Sequence, residues 1–156
     1  KLPPQPPAKA HQSLDGMRLE IPTLGVDTPL VGIPVSERGW DLTWLWEQAG
    51  YLNGTAFPTW QGNTAITGHV YLPNGAPGPF VNLHTLKWGD ALVIHAWGKR
   101  HIYEVRSIQQ TDPGDLSVLG SEPLDWITLI TCQGYDTESD SYLWRLAVKA
   151  VLVRLE

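Results

Sequence analysis

Short segments of alternating or continuous apolar residues, rich in Val, Ile and Thr and bounded by Gly and Pro, recur along the chain. This pattern predicts β-strands. The strongest segment is 126–132, which ends on Cys132, the only cysteine. The turn residues that follow predict that the strand stops there, with the thiol at its end. Further strands are predicted at 17–22, 26–35, 64–67, 91–97, 101–108 and 142–155.

Two segments have helical rather than strand spacing. In 39–50, tryptophan and leucine residues recur at intervals that suit one or two helical turns, which Gly50 would end. In 80–86, three apolar residues fall on one side of a short turn: Phe80, Leu83 and Leu86. The pattern therefore predicts a mostly β fold with short helices.

Composition supports one β-rich domain. The chain has 156 residues, of which 15 are Gly and 13 are Pro, and these interrupt any long helical period. Its formal net charge is −5 and its Lys and Arg residues form no cluster. Because nucleic-acid binding needs a basic surface, we expect no nucleic acid as a partner.

The domain organisation follows from a proline-rich start. Residues 1–16 are predicted to form an extended linker, and 17–156 a single domain. No run of 18 apolar residues occurs, so nothing in the chain is predicted to span a bilayer. The first residue is not Met, which suggests a processed or trimmed chain, so we expect any membrane anchor to lie outside it.

Three residues have the chemistry of an acyl-transfer site. His69 and Cys132 both fall at the ends of predicted strands, and Arg145 lies inside the last strand. A thiolate can attack a carbonyl, an imidazole can carry a proton to the leaving amine, and a cation can stabilise negative charge on oxygen. A guanidinium in a strand also needs a partner or a substrate, because it cannot lose its charge.

Other interpretations of these residues stay open on the residues alone. The three could be unrelated: a buried thiol, a surface imidazole and an ion-pair partner. The chain would then be a non-catalytic wall-binding β-domain whose eight tryptophans stack on carbohydrate. A zinc site is a further alternative, but the remaining histidines and the cysteine lack ligand spacing, and we expect neither a metal nor a cofactor.

The same residues carry a family resemblance. The segment Thr-Leu-Ile-Thr-Cys at 128–132 precedes Arg145 by 13 positions, and Thr-Gly-His at 67–69 lies 63 positions before the cysteine. The segments at 80–90 and 103–105 add to the match. This combination resembles the sortase family over the whole of the predicted domain.

The resemblance implies an eight-stranded β-barrel with its site in a groove. It implies that Cys132 attacks an LPxTG-like sorting signal to form a thioacyl-enzyme, and that His69 serves as acid and then base. Arg145 would hold the substrate and the oxyanion, and Thr131 would position the substrate. The acyl group would pass to a peptidoglycan-type amine, on the extracellular face of a bacterial membrane.

The resemblance also bears on subtype and metal. A pilus-building sortase is expected to carry an Asp-Pro-aromatic lid motif before the barrel, whereas 40–44 reads Trp-Asp-Leu-Thr-Trp. A wall-anchoring role is therefore the prediction. Acidic residues in the loop 112–125 resemble the calcium site of some members, but the other half of such a site is not evident.

Overall fold

The fold is seen in a computed structural model that describes residues 16–36, 39–40, 44–112, 124–136 and 141–156. At 35–36, 39–40, 132–136 and 141–144 the description covers the backbone alone. The predicted linker lies outside the described residues except for Gly16, so the domain division stays a prediction. No helix of the described residues is long and apolar enough to cross a membrane.

The strands form a closed mixed barrel, as the family resemblance predicted. The barrel order is β1-β2-β5-β6-β9-β10-β8-β7, and β3 and β4 pair separately. Two of its pairings are parallel, β2 with β5 and β6 with β9, and the others are antiparallel. The described residues contain ten strands: β1 Arg18–Ile21, β2 Val26–Ile33, β3 Val35–Ser36, β4 Gly39–Trp40, β5 Ala49–Leu52, β6 Gly62–Thr67, β7 Ala91–Ala96, β8 Lys99–Thr111, β9 Asp125–Asp136 and β10 Ser141–Leu155.

The central strands are buried on both faces. Ile66, Leu129 and Val148 belong to the main core cluster. Their chain neighbours Ala65, Ile130 and Ala147 pack in a second cluster with Leu45. Because successive strand residues point to opposite faces, such strands contribute side chains to both clusters. This explains the apolar residues of 127–130 in β9, whereas β6 also buries three polar side chains, those of Asn63, Thr64 and Thr67.

The helical interpretation of 39–50 is wrong where the structure describes it. Gly39–Trp40 pairs with Val35–Ser36, and Ala49–Leu52 forms a strand parallel to β2. A Cβ at Gly50 would lie 2.2 Å from Cδ1 of Ile33, so this glycine permits close strand packing rather than ending a helix. Residues 41–43 lie outside the described residues.

The short turn at 80–86 is confirmed. Phe80, Leu83 and Leu86 are all buried in the main core. A 3-10 turn, Leu83–Thr85, connects them, and a second occurs at Pro22–Leu24. No α-helix is present among the described residues, and of the two segments with helical spacing only 80–86 contains a 3-10 turn.

Candidate active site

The end of β6 lies level with the middle of β9. The parallel ladder between them finishes with Thr67 opposite Ile130. His69 follows Thr67 by two residues, and Cys132 follows Ile130 by two residues. Since parallel strands run in the same direction, both chains reach these positions at the same end of the sheet.

The third predicted residue joins them through the neighbouring strand. In the antiparallel pairing of β9 with β10, Arg145 lies directly opposite Cys132. On its other side Arg145 lies opposite Thr111 of β8. The backbone register therefore brings the positions of His69, Cys132 and Arg145 together, although they come from three separate parts of the sequence.

Two buried threonine hydroxyls join the end of β6 to β9. Oγ1 of Thr67 donates to the carbonyl oxygen of Ile130 at 2.8 Å. Oγ1 of Thr131 donates to the carbonyl oxygen of Gly68 at 3.3 Å. Both threonines are almost fully buried. The hydroxyl of Thr131, predicted to position the substrate, is thus bonded to the backbone just before His69.

A tight loop holds the backbone of His69 from the other side. Its carbonyl oxygen accepts a hydrogen bond from the N–H of Phe80 at 3.0 Å, and the N–H of Gly78 donates to the carbonyl of Val70 at 2.8 Å. A Cβ at Gly78 would lie 2.2 Å from the His69 carbonyl oxygen, so only glycine fits without a shift. The imidazole itself is half-buried.

Arg145 carries a polar atom that the fold leaves unsatisfied. Its Nε is buried and has no hydrogen-bond partner among the described residues. The same is true of Oγ1 of Thr111, the residue opposite it on β8. Unsatisfied buried donors cost free energy, so they are rare unless they have a function.

A cavity of about 690 Å³ opens beside the loop that follows His69. One wall consists of Pro77, Gly78 and Pro79. The opposite wall comes from the start of β2 and from the residues before β5, among them the half-exposed Trp46. The site therefore adjoins a groove large enough to take part of a second molecule.

A family model for the sortase domain matches residues 19–153. The chain belongs to the sortase family. It is accordingly a cysteine transpeptidase that acts on cell-wall sorting signals, at the cell surface. This membership decides against the non-catalytic binding domain.

Solved sortases have the same fold. Sortase C-1 from Actinomyces oris is 31% identical with a TM-score of 0.75, over 94% of this chain and 80% of that one. Sortase A from Corynebacterium diphtheriae is 33% identical with a TM-score of 0.71, over 90% of this chain and 61% of that one. The pilus-related sortase C of Group B Streptococcus is 27% identical with a TM-score of 0.75, over 94% of this chain and 71% of that one. Sortases named A and C are similar to the chain at comparable identity, so identity does not separate the subtypes.

Among proteins with curated functional descriptions, none matches the sequence significantly.

Among the residues that the structure describes, a buried pair on β8 and β9 has strongly shifted pKa values. Burial raises the pKa of Asp125 to about 7, and its hydrogen bond from Tyr103 opposes that rise. Burial, together with the charge of Asp125, raises the pKa of Tyr103. Asp125 begins β9, seven residues before Cys132, which is roughly 23 Å along an extended strand. This pair is therefore structural.

Two of the histidines considered for the zinc alternative, His95 and His101, have other contacts. Nε2 of His95 lies 2.8 Å from Oε1 of Glu20. His101 packs edge-on against Trp97, and burial followed by the charge of Lys99 lowers its pKa. In the described part of the chain, no three His, Cys, Asp or Glu side chains are grouped as metal ligands.

The predicted acidic loop lies largely outside the described residues. These comprise its two ends only, residue 112 and residues 124–125.

The sequence predicts His69, Cys132, Arg145 and Thr131 as site residues, and it does not single out Thr67. Thr67 carries no catalytic chemistry, so its 2.8 Å bond to β9 becomes visible only in the structure. The available signal was positional: one threonine stands two residues before His69, and another stands directly before Cys132.

Proposed function

We propose that Cys132, His69 and Arg145 are the catalytic residues and that this sortase cleaves an LPxTG-like sorting signal. The acyl group would then pass to a peptidoglycan-type amine. The observation that supports this is the register, which sets Arg145 opposite Cys132 and brings His69 to the same end of the barrel.

The chemistry balances with these groups alone. The thiolate of Cys132 adds to the Thr–Gly carbonyl of the signal, and the C–N bond breaks as His69 gives a proton to the departing amine. A thioester remains and keeps the acyl group reactive. The acceptor amine then attacks it, loses its proton to His69 and releases Cys132. No cofactor is needed for either half of the reaction.

Arg145 supplies the charge that this sequence of steps requires. Its buried Nε has no acceptor among the described residues, and a substrate carbonyl oxygen would provide one. The guanidinium can form two parallel hydrogen bonds, and these strengthen as negative charge develops on the carbonyl oxygen. We therefore assign it to binding the signal and stabilising the oxyanion.

Thr131 completes the proposed set as a substrate-positioning residue. It precedes Cys132 in the same buried strand, and its hydroxyl is bonded to Gly68. That bond fixes the strand carrying the nucleophile relative to the strand carrying His69. A substrate held against β9 is then held at a constant distance from the imidazole.

We propose a wall-anchoring role and a position on the extracellular face of the membrane. Residues 1–17, which precede the first barrel strand, contain no Asp-Pro-aromatic motif of the kind expected of an inhibitory lid. The proline-rich 1–16 would act as a spacer between the catalytic domain 17–156 and a membrane anchor outside this chain.

The test is transfer of a labelled LPxTG-type peptide to an amine, followed by chromatography. Cys132→Ala and His69→Ala are expected to abolish transfer while leaving the thermal unfolding transition intact. His84→Ala is the matched control, because this exposed histidine lies on the 3-10 turn after the site loop and should retain full activity. Transfer that persists in Cys132→Ala would refute the proposal.

A further inference from the structure

The regular hydrogen-bond ladder between β6 and β9 stops before it reaches the catalytic positions. Its last pair is Thr67 opposite Ile130, whereas His69 and Cys132 each lie two residues further on. Beyond that pair, backbone pairing no longer determines how far the imidazole lies from the thiol. Some other interaction has to fix this distance, since a misplacement of about 1 Å can cost about a hundredfold in rate.

Two side-chain hydrogen bonds continue the connection past the end of the ladder. The Thr67 hydroxyl donates from β6 to the Ile130 carbonyl of β9, and the Thr131 hydroxyl donates from β9 to the Gly68 carbonyl. The two bonds run in opposite directions, and each ends on the residue next to the other donor. We call this crossed pair the threonine clasp.

We propose that Thr67 is a positioning residue for catalysis, which acts through the clasp to hold His69 at a fixed distance from Cys132. The inference rests on the proposed function, since it takes these two residues as the reacting pair. The hydroxyl of Thr67 is bonded to the backbone of β9. It acts through the backbone of Ile130, two residues before the nucleophile.

The surroundings of the clasp give these bonds their effect. Both donors are buried, so water does not compete for the two carbonyl oxygens. The ring of Phe80 packs closely against Gly68. A Cβ added at that glycine would lie only 3.3 Å from the ring. The segment carrying His69 is thus held between the core aromatic and the clasp.

A second threonine of β6 provides a matched control. Oγ1 of Thr64 donates to the carbonyl oxygen of Phe57 at 3.3 Å, and this side chain is as buried as that of Thr67. Thr64 belongs to the same strand, but its hydroxyl donates to the backbone at Phe57 rather than to β9. Thr64→Val and Thr67→Val therefore both remove one buried hydroxyl from β6, but only the second removes it from the site.

The experiment compares Thr67→Val, Thr67→Ser and Thr64→Val in two assays. In peptide transfer, Thr67→Val is expected to lower kcat by about tenfold to a hundredfold with KM little changed. Thr67→Ser keeps the hydroxyl and should recover most of kcat. Thr64→Val should lower the unfolding temperature by a similar amount but retain kcat.

The second assay does not depend on substrate. Alkylation of Cys132 by iodoacetamide reports the thiolate alone, because the chain has no other cysteine. Thr67→Val should change the pH profile of alkylation, because the distance between the thiol and the imidazole is then no longer fixed. Thr64→Val should leave the profile unchanged. Should Thr67→Val fail to fold, Thr67→Ala takes its place, with the same expected results.

The outcomes separate the two ideas. Equal effects of Thr67→Val and Thr64→Val on kcat and on the alkylation profile would overturn the positioning role. An unmutated chain that transfers no peptide would instead overturn the proposed function, and the alkylation assay would still decide whether Thr67 fixes the thiol's surroundings.

Discussion

Arg145 shows how one residue can be chosen from sequence and explained only by structure. A guanidinium among apolar strand residues signals an unusual demand, because its charge cannot be removed. The register then gives its neighbours: Cys132 on one side and Thr111 on the other. The buried Nε of Arg145, which has no hydrogen-bond partner among the described residues, is the structural observation that supports substrate binding.

Arg145→Lys tests this argument. Lysine keeps the charge but replaces the planar fork with a point charge on a flexible stem. We expect transfer of an LPxTG-type peptide to fall by about a hundredfold in kcat/KM, with the unfolding temperature nearly unchanged. Arg106→Lys is the control. The Arg106 guanidinium, on β8, lies over the ring of Trp88 and pairs with Glu104. Nearly normal kcat/KM for Arg145→Lys would remove this residue from the mechanism.

Asp125 gives a prediction about stability rather than activity. Its pKa is about 7 in the folded chain, against 3.8 for an unperturbed aspartate, so between these values the folded form binds more protons than the unfolded form. The free energy of unfolding should therefore fall as pH rises from 4 to 7 and level off above 7. Solvent screening of this half-buried group limits the change to about 1–2 kcal/mol.

Asp125→Asn removes the titration while keeping an acceptor for the Tyr103 hydroxyl. Urea denaturation at several pH values should show a flatter dependence in this variant than in the unmutated chain. A dependence that is unaltered by the substitution would assign the effect to another group.

At the scale of single residues, the sequence predicts reactive groups better than supporting ones. His69, Cys132 and Arg145 can be selected as candidate site residues because their side chains have chemistry that a hydrophobic core does not need. Thr67 and Gly78 give no such signal, since threonine is common in strands and glycine in loops. Thr67 matters through the carbonyl oxygen of Ile130, to which it donates. Gly78 matters through the carbonyl oxygen of His69, which it approaches closely.

At the scale of elements, strands were predicted well where both faces are buried. β9 has a mostly apolar segment at 126–130, and Ala65 and Ile66 of β6 are apolar, because both strands pack against two clusters. The strand ends were harder to predict: β8 continues to Thr111 and β9 to Asp136 through polar residues. The helical prediction for 39–50 was wrong. Its residue spacing suits a helix, whereas its described residues include strand β4 and the start of strand β5. Pairing with a distant strand outweighs local spacing there.

The loop after His69 is the element whose shape the site depends on most directly. Gly78→Ala would place a methyl group 2.2 Å from the His69 carbonyl oxygen, so the backbone must move. We expect a loss of about 1–3 kcal/mol in unfolding free energy and a clear fall in kcat, measured by urea denaturation and peptide transfer.

The control for this loop is Asn74→Ala. It removes the hydrogen bond that the N–H of Ala76 donates to Oδ1 of Asn74 at 3.0 Å, in the same loop as Gly78. Activity should be retained in that variant. If Gly78→Ala also retained full activity, the loop would not be what positions the imidazole.

At the scale of the whole molecule, barrel closure assembles the site from distant parts of the chain. β1 pairs with β7 to close the barrel, and β9 lies between β6 and β10. Composition and turn residues predicted the β class, and the family resemblance predicted the eight-stranded barrel, but strand order and register are visible only in the structure. Sequence spacing cannot show that three positions meet, because pairing between distant strands depends on the entire core.

The most direct measurement is the mass of the protein after incubation with an LPxTG-type peptide and no amine. The account predicts an added mass equal to the acyl portion up to Thr, located on Cys132 by peptide mapping and released by hydroxylamine. Cys132→Ala should show no adduct. A chain that cleaves the peptide without a thioester on Cys132, or that forms the adduct on another residue, would contradict the account.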